Sequence, residues 1–311
     1  MSHKILLVLG LTLASHTTFS QTLNDRITAA HTAARSAEEC KAIQPFYYEL
    51  GNKSHALLGD SIGIDAPEAL TEMDIASASK WIMGAYTVEK LRGQLSAYQI
   101  RLLNFSSGYD QFTKCGQSLT VEDCQQSGTN GNQTILNIGK FNYNGGHQQK
   151  LGVVMGLGAL DDISLGHEMS SVLGINIKYF SPQLAGAVET SANEYAKFLR
   201  SIMNNQLFIG RMLGKHAICA SPAFCPKSAI SSPIASDLDY DYSLSHWVEN
   251  DAKKGDGAFS SAGAFGFYPW VDKNKSFYGI IARKNLSAGA GQKSMLCGQK
   301  IRKAFMNPTS K

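Results

Sequence analysis

Ser77-Ala78-Ser79-Lys80 is the only Ser-x-x-Lys in the chain, and the nearly all-apolar run Trp81-Ile82-Met83-Gly84-Ala85-Tyr86 follows it. On a helix, positions i and i+3 share a face one turn apart, which sets the Lys80 amine beside the Ser77 hydroxyl. At a helix start, free backbone N–H groups and the positive end of the helix dipole surround that oxygen. Burial penalises an ammonium and lowers its pKa, so a lysine in apolar surroundings can activate a serine without a histidine. The same four residues also fit an ordinary helix start, and the rest of the chain must decide between the two readings.

A second serine competes. Gly59-Asp60-Ser61-Ile62-Gly63 matches Gly-x-Ser-x-Gly, the strand-to-helix elbow of α/β-hydrolases. Pro67 in the following Ile64-Asp65-Ala66-Pro67 disfavours an immediate helix there. The later strand–helix alternation of a parallel sheet is also missing, as is a convincing Asp-x-x-His near the end.

The elements that must position these groups read as follows. Asn24 to Cys40 is helical, with Ile27, Ala30, Ala33 and Ala34 on one face. Ala56-Leu57-Leu58 is a short strand, and the Ser77 helix runs to about Arg92. Cys115 to Asn144, rich in Gly, Gln, Asn and Ser, is loop. Ser191-Ala192-Asn193-Glu194 is a capping box before a helix that carries Tyr195, Phe198, Leu199 and Ile202 on one face. Cys219 to Pro233 is irregular. Tyr242 to Val248, Ala264 to Val271 and Ser276 to Ala282 are strands, the last two joined by the turn Asp272-Lys273-Asn274-Lys275. A final helix spans about Gln292 to Phe305.

Residues 1–20 have the pattern of a secretory signal peptide: Lys4 in front, an apolar Ile5 to Ala14, and small residues near Gln21. The apolar run is too short to span a bilayer. This predicts an exported chain, periplasmic or secreted, of about 290 residues. Loss of Lys4 takes the formal charge from +4 to +3, too little to argue for nucleic acid or an anionic membrane surface. Six cysteines in an exported chain suggest disulfides. Of about fifteen possible pairings, proximity favours Cys115 with Cys124 and Cys219 with Cys225. Cys40 and Cys297 remain, either as buried thiols or as a bond between the two terminal helices. No metal-ligand spacing exists among the histidines and cysteines, and no cofactor is expected.

Read together and in order, the segments resemble the serine β-lactamase and penicillin-binding-protein superfamily, most closely its class C-like, esterase and D-aminopeptidase branch. Asp74 to Lys80 looks like the nucleophile motif. Leu102-Leu103-Asn104-Phe105-Ser106-Ser107-Gly108-Tyr109 looks like a "LL-x-x-(T/S)-S-G" segment. Phe141-Asn142-Tyr143-Asn144-Gly145-Gly146 looks like the second motif, which carries a tyrosine. Thr190 to Leu199 is similar to the helix start that follows it. Tyr242-Ser243-Leu244-Ser245-His246-Trp247 resembles the "YGLGW" strand, and Phe259-Ser260-Ser261-Ala262-Gly263-Ala264-Phe265-Gly266 falls where a Lys/His-Thr-Gly strand belongs.

The resemblance implies an α+β, β-lactamase-like fold: an antiparallel sheet flanked by helices, plus a mainly helical subdomain. Residues 21–75 and 240–311 would form the α/β part, residues 76–239 the helical part, with the site between them. It implies that Ser77 forms an acyl-enzyme, that Lys80 or Tyr143 is the base, and that the N–H groups of Ser77 and Ala264 form the oxyanion hole, with Ser261 and Gly263 on the substrate strand. Gly263 would leave room for substrate on an edge strand. The 116–144 segment and Trp270 are candidates for shaping the pocket. Two departures matter. The second motif reads Tyr-Asn-Gly, not Tyr-x-Asn. The third reads Ser-Ala-Gly and lacks the Lys or His and the Thr that bind a substrate carboxylate. A small ester, amide or peptide-like substrate is therefore expected, with β-lactamase or D-Ala-D-Ala carboxypeptidase activity as the alternative. A third reading is a catalytically weak member that binds peptidoglycan or peptide.

Overall fold

The computed structural model describes residues 22–308; the expected signal peptide, 1–20, lies outside them. The helices are α1 (Leu23–Ser36), α2 (Glu38–Lys41), α3 (Ser79–Lys90), α4 (Ala97–Leu103), α5 (Val121–Gln126), α6 (Gly146–Val154), α7 (Asp162–Leu173), α8 (Ala192–Met203) and α9 (Ala290–Met306). The strands are β1 (Phe46–Asn52), β2 (Ala56–Ile62), β3 (Met73–Asp74), β4 (Phe141–Asn142), β5 (Lys178–Tyr179), β6 (Val188–Thr190), β7 (Ile218–Cys219), β8 (Ala229–Ser231), β9 (Asp241–Tyr242), β10 (Trp247–Glu249), β11 (Ala258–Ser260), β12 (Tyr268–Val271) and β13 (Phe277–Ala282).

The main sheet has the order β2-β1-β13-β12-β11-β10-β9-β7, and its pairs are antiparallel. Side chains alternate between its faces. On β13, Tyr278, Ile280 and Ala282 enter one core and Ile281 the other; on β1, Tyr47 enters the first and Phe46, Tyr48 and Leu50 the second. Helix α8 covers the first face, while α9 covers the second, with α1 and α2 packed on it. Both faces of β1 are therefore buried, so Phe46 to Leu50 shows no alternation of apolar and polar residues and escapes a sequence reading.

Local chemistry explains the ends. Thr22 and Asp25 form a capping box on α1, as do Ser96 and Gln99 on α4 and Thr120 and Asp123 on α5. At α8 only half of the expected box forms. Ser191 accepts from the Glu194 N–H, but the Glu194 carboxylate turns to Asn176 N and Lys197 Nζ. The Asp272 carboxylate accepts from the N–H groups of Asn274, Ser276 and Phe277 and closes the β12–β13 hairpin.

Three expectations shift. The segment from Tyr242 to Val248 is two short strands, β9 and β10, folded back at Ser245, whose φ is 63°. The strand expected from Ala264 starts only at Tyr268, because Gly263 to Phe267 forms the turn between β11 and β12, closed by Gly263 N–H to Phe267 O (2.7 Å) and Gly266 N–H to Gly263 O (2.9 Å). The polar loop holds α5, capped by Thr120 and stapled by the Cys115–Cys124 disulfide. Cys219–Cys225 and Cys40–Cys297 are also bonded, the latter joining α2 to α9. Among the described residues no helix is long and apolar enough to cross a membrane.

Candidate active site

The turn that carries Ser77 is held by several neighbouring segments. Strand β3 pairs with β6, and Ile75 N–H continues the ladder to Val188 O at 3.0 Å. A 3₁₀ turn, Ala76–Ala78, then leads into α3, so Ser77 precedes the regular helix by one short turn. Ala76 has φ 45°, a left-handed backbone rare for a residue with a side chain. The residues after it are tied to distant segments: Tyr195 Oη donates to Ala78 O (3.0 Å), Val188 N–H to Ser79 Oγ (3.2 Å), and Gln148 Nε2 to Lys80 O (2.9 Å). Strain of this kind persists only where neighbours over-determine it.

Lys80 Nζ donates to Ser77 Oγ at 3.0 Å and to Ala185 O at 2.8 Å. Its side chain lies beneath the serine, 5 % exposed, and burial lowers its pKa from 10.5 to about 7. The amine thus has a large neutral fraction near neutral pH. Tyr143 stands on the other side, with Lys80 Nζ 4.9 Å from its ring centroid. Burial pushes the phenol well above its usual range, while an interaction with Ser77 pulls the other way. Tyr143 is therefore a neutral phenol at physiological pH.

Aromatic packing fixes Tyr143. Its ring stacks on Trp247 (5.3 Å, 19°) and touches Phe105 (5.6 Å) and Tyr242 (5.9 Å). Its N–H bonds Ser231 O at 3.0 Å, extending the parallel β4–β8 pair. Behind it His147 stacks on Phe105 (5.0 Å, 11°). His147 Nε2 donates to Asn142 O (2.9 Å), which makes Nδ1 the acceptor of the Ser107 hydroxyl at 2.7 Å. Ser107 and His147 are buried, so this pair holds two segments together and does not face the cleft.

The cleft above Ser77 has a volume of about 250 Å³. Tyr143, Trp247, Gly263, Ala264, Ile234 and Met295 are among its lining residues. Among the described residues no group accepts from the N–H of Ser77 or of Ala264. Ala264 keeps a free N–H because it sits in the turn between β11 and β12, outside the ladder.

No family model and no curated relative matches this chain by sequence. Solved structures do match by shape. A hydrolase with promiscuous acyltransferase activity, EstCE1, superposes at TM-score 0.66 with 11 % identity, over 92 % of this chain and 99 % of that one. A penicillin-binding protein from Bacillus halodurans gives 0.59 with 13 % identity, over 87 % of this chain and 99 % of that one. A D-stereospecific amidohydrolase from Streptomyces gives 0.61 with 11 % identity, over 91 % and 99 %. The chain has the fold of the serine β-lactamase and penicillin-binding-protein superfamily.

Within this fold Ser77, Lys80, Tyr143, Gly263 and Ala264 converge on one place. Ser261 does something else: its hydroxyl donates to Ser77 O at 3.2 Å and is absent from the cleft wall. Gly263 is required by backbone packing, which corrects the edge-strand argument. Strand β11 lies inside the sheet, and a Cβ on Gly263 would sit 2.1 Å from Ile75 O. Trp270 does not shape the pocket; it is 1 % exposed in the core, with Arg302 over its ring at 5.1 Å. Of the 116–144 segment Tyr143 alone lines the cleft, while Thr134, Asn137 and Asn142 donate to the Asp110 carboxylate. Asn144 Oδ1 caps the N–H groups of Phe112 and Gly146, so it serves the backbone. Ser61 lies on edge strand β2 and donates to Pro67 O at 2.7 Å, with no helix following it. Ala185, Ile234 and Met295 carry no mark in the sequence, since the first acts through its carbonyl and the others look like any apolar residue.

Proposed function

We propose that this protein is an exported serine hydrolase that cleaves a small ester or amide through an acyl-enzyme on Ser77. The observation that carries the reading is the 3.0 Å contact between Ser77 Oγ and the buried Lys80 Nζ, whose pKa lies at about 7. In the neutral state the amine keeps one N–H on Ala185 O and turns its lone pair to the serine hydroxyl. Lys80 takes the Ser77 proton as Oγ attacks the substrate carbonyl carbon. Tyr143, kept protonated by burial, relays a proton to the departing oxygen or nitrogen and receives one back from Lys80. The N–H groups of Ser77 and Ala264 hold the oxyanion, each such donor being worth about 3 kcal/mol. Water then attacks the acyl-serine by the reverse proton path. The raised pKa of Tyr143 favours Lys80 as the base. The three disulfides suit an oxidising compartment.

Hydrolysis of p-nitrophenyl acetate and butyrate, beside nitrocefin, tests this. Ester turnover should fall about 10⁴-fold or more in Ser77→Ala, and a fluorophosphonate probe should label Ser77. Turnover unchanged by Ser77→Ala would sink the assignment and return attention to Ser61.

A further inference from the structure

We infer, resting on that reading of Ser77, that the cleft selects an uncharged, apolar acyl group of a few carbons and rejects acyl groups that carry a carboxylate. Among the described residues, no charged side chain lines the wall of the cleft. Apart from Ser77 and Tyr143, its one polar side chain is Gln292, exposed at the rim on the first turn of α9. Ile234, Trp247 and Met295 supply apolar surface, and Ala262 with Gly263, Ala264, Gly289 and Gly291 supplies walls without reach.

The nearest cation, Lys80, is sealed beneath Ser77 and engaged by Ser77 Oγ and Ala185 O. The Ser261 hydroxyl is also unavailable, because it donates to Ser77 O. A carboxylate brought into this cleft would lose hydration and find no cation, which is a costly desolvation. An alkyl chain would gain instead, by roughly fourfold per buried methylene (about 0.8 kcal/mol). The modest volume of about 250 Å³ suits a butyryl or hexanoyl group better than a long fatty acyl chain.

The side of the cleft that makes this choice is not built from the chemical motif. Ile234 comes from the loop after β8, and Gln292 and Met295 come from α9. Close packing sets α9 there: a Cβ on Gly291 would lie 2.5 Å from Gly263 O.

The test compares kcat/KM for p-nitrophenyl acetate, butyrate, hexanoate and the mono-p-nitrophenyl ester of adipic acid, with fluorophosphonate labelling of Ser77 run in parallel. The wild type should prefer butyrate over acetate by about tenfold, and hexanoate over the adipate ester by at least about 100-fold. Ile234→Ala should cut the butyrate-to-acetate ratio by at least fourfold. Gln292→Arg, a rim substitution on an exposed position, should narrow the hexanoate-to-adipate ratio at least tenfold by raising the adipate rate. Labelled, active enzyme that cleaves the adipate ester as fast as hexanoate would overturn the inference and leave the Ser77 reading standing. So would a chain-length ratio that Ile234→Ala does not change. Neither labelling nor ester turnover would overturn the Ser77 reading, and this inference with it.

Discussion

Lys80 is one amine shielded from water beneath Ser77. Its pKa of about 7 has a single cause, burial, and the hydrogen bonds to Ser77 and Ala185 orient it. If neutral Lys80 is the base, kcat/KM must rise with pH through an apparent pKa near 7 and hold above it. A flat profile between about pH 5 and 9 would remove Lys80 from that role. Gly263 offers a second residue-scale check. An added Cβ would press on Ile75 O, next to the left-handed Ala76 that presents Ser77. Gly263→Ala should cost about 1–3 kcal/mol of stability, as overpacking does, and should lower turnover beyond what the unfolded fraction explains. Thermal melts beside single-turnover acylation rates separate the two effects.

At the scale of elements, two buried histidines join segments that sequence keeps apart. His147 links α6 to the Ser107 segment and to β4, and His246 links the β9–β10 turn to Gly214 while stacking on Trp81 of α3 at 5.4 Å. Burial lowers both pKa values from 6.5 to about 4. The unfolded chain binds these protons below about 6.5 and the folded one only below about 4, so folding stability must fall as pH drops through that window and level off below it. At 1.36 kcal/mol per pH unit the loss is of the order of 3 kcal/mol per histidine. Urea unfolding at pH 7 and pH 4.5 measures it, and equal stability at both would contradict the neutral, buried state of the two rings.

For the whole molecule, segments far apart in sequence meet: β1 lies beside β13, and α1 and α2 lie on α9. The Cys40–Cys297 disulfide locks that arrangement across a separation of 257 residues. In the chain-entropy model such a loop is worth about 5 kcal/mol, though measured values are often 2–4. A Cys40→Ser, Cys297→Ser double variant should therefore melt several degrees lower than the wild type, and by more than a variant lacking Cys219–Cys225, whose bond spans 6 residues. Equal losses in calorimetry would show that loop length is not what sets the effect.

Features set by spacing are legible in the residues alone. Ser77 and Lys80 lie three residues apart at a helix start, the hairpin at Asp272 has its turn chemistry written locally, and two disulfides follow from short separation. The order of motifs also pointed to the fold. Features that depend on distant chain segments emerge only in the folded molecule. Strand β1 stayed hidden because both its faces are buried and period-2 alternation vanishes. Ser261 turned from the cleft because Ser77 O lies within 3.2 Å of it, and Gly263 owes its need for a bare Cα to the carbonyl of Ile75. The apolar wall of Ile234 and Met295 exists only once α9 and the loop after β8 meet over Ser77, since an apolar residue carries no local mark of what it will face.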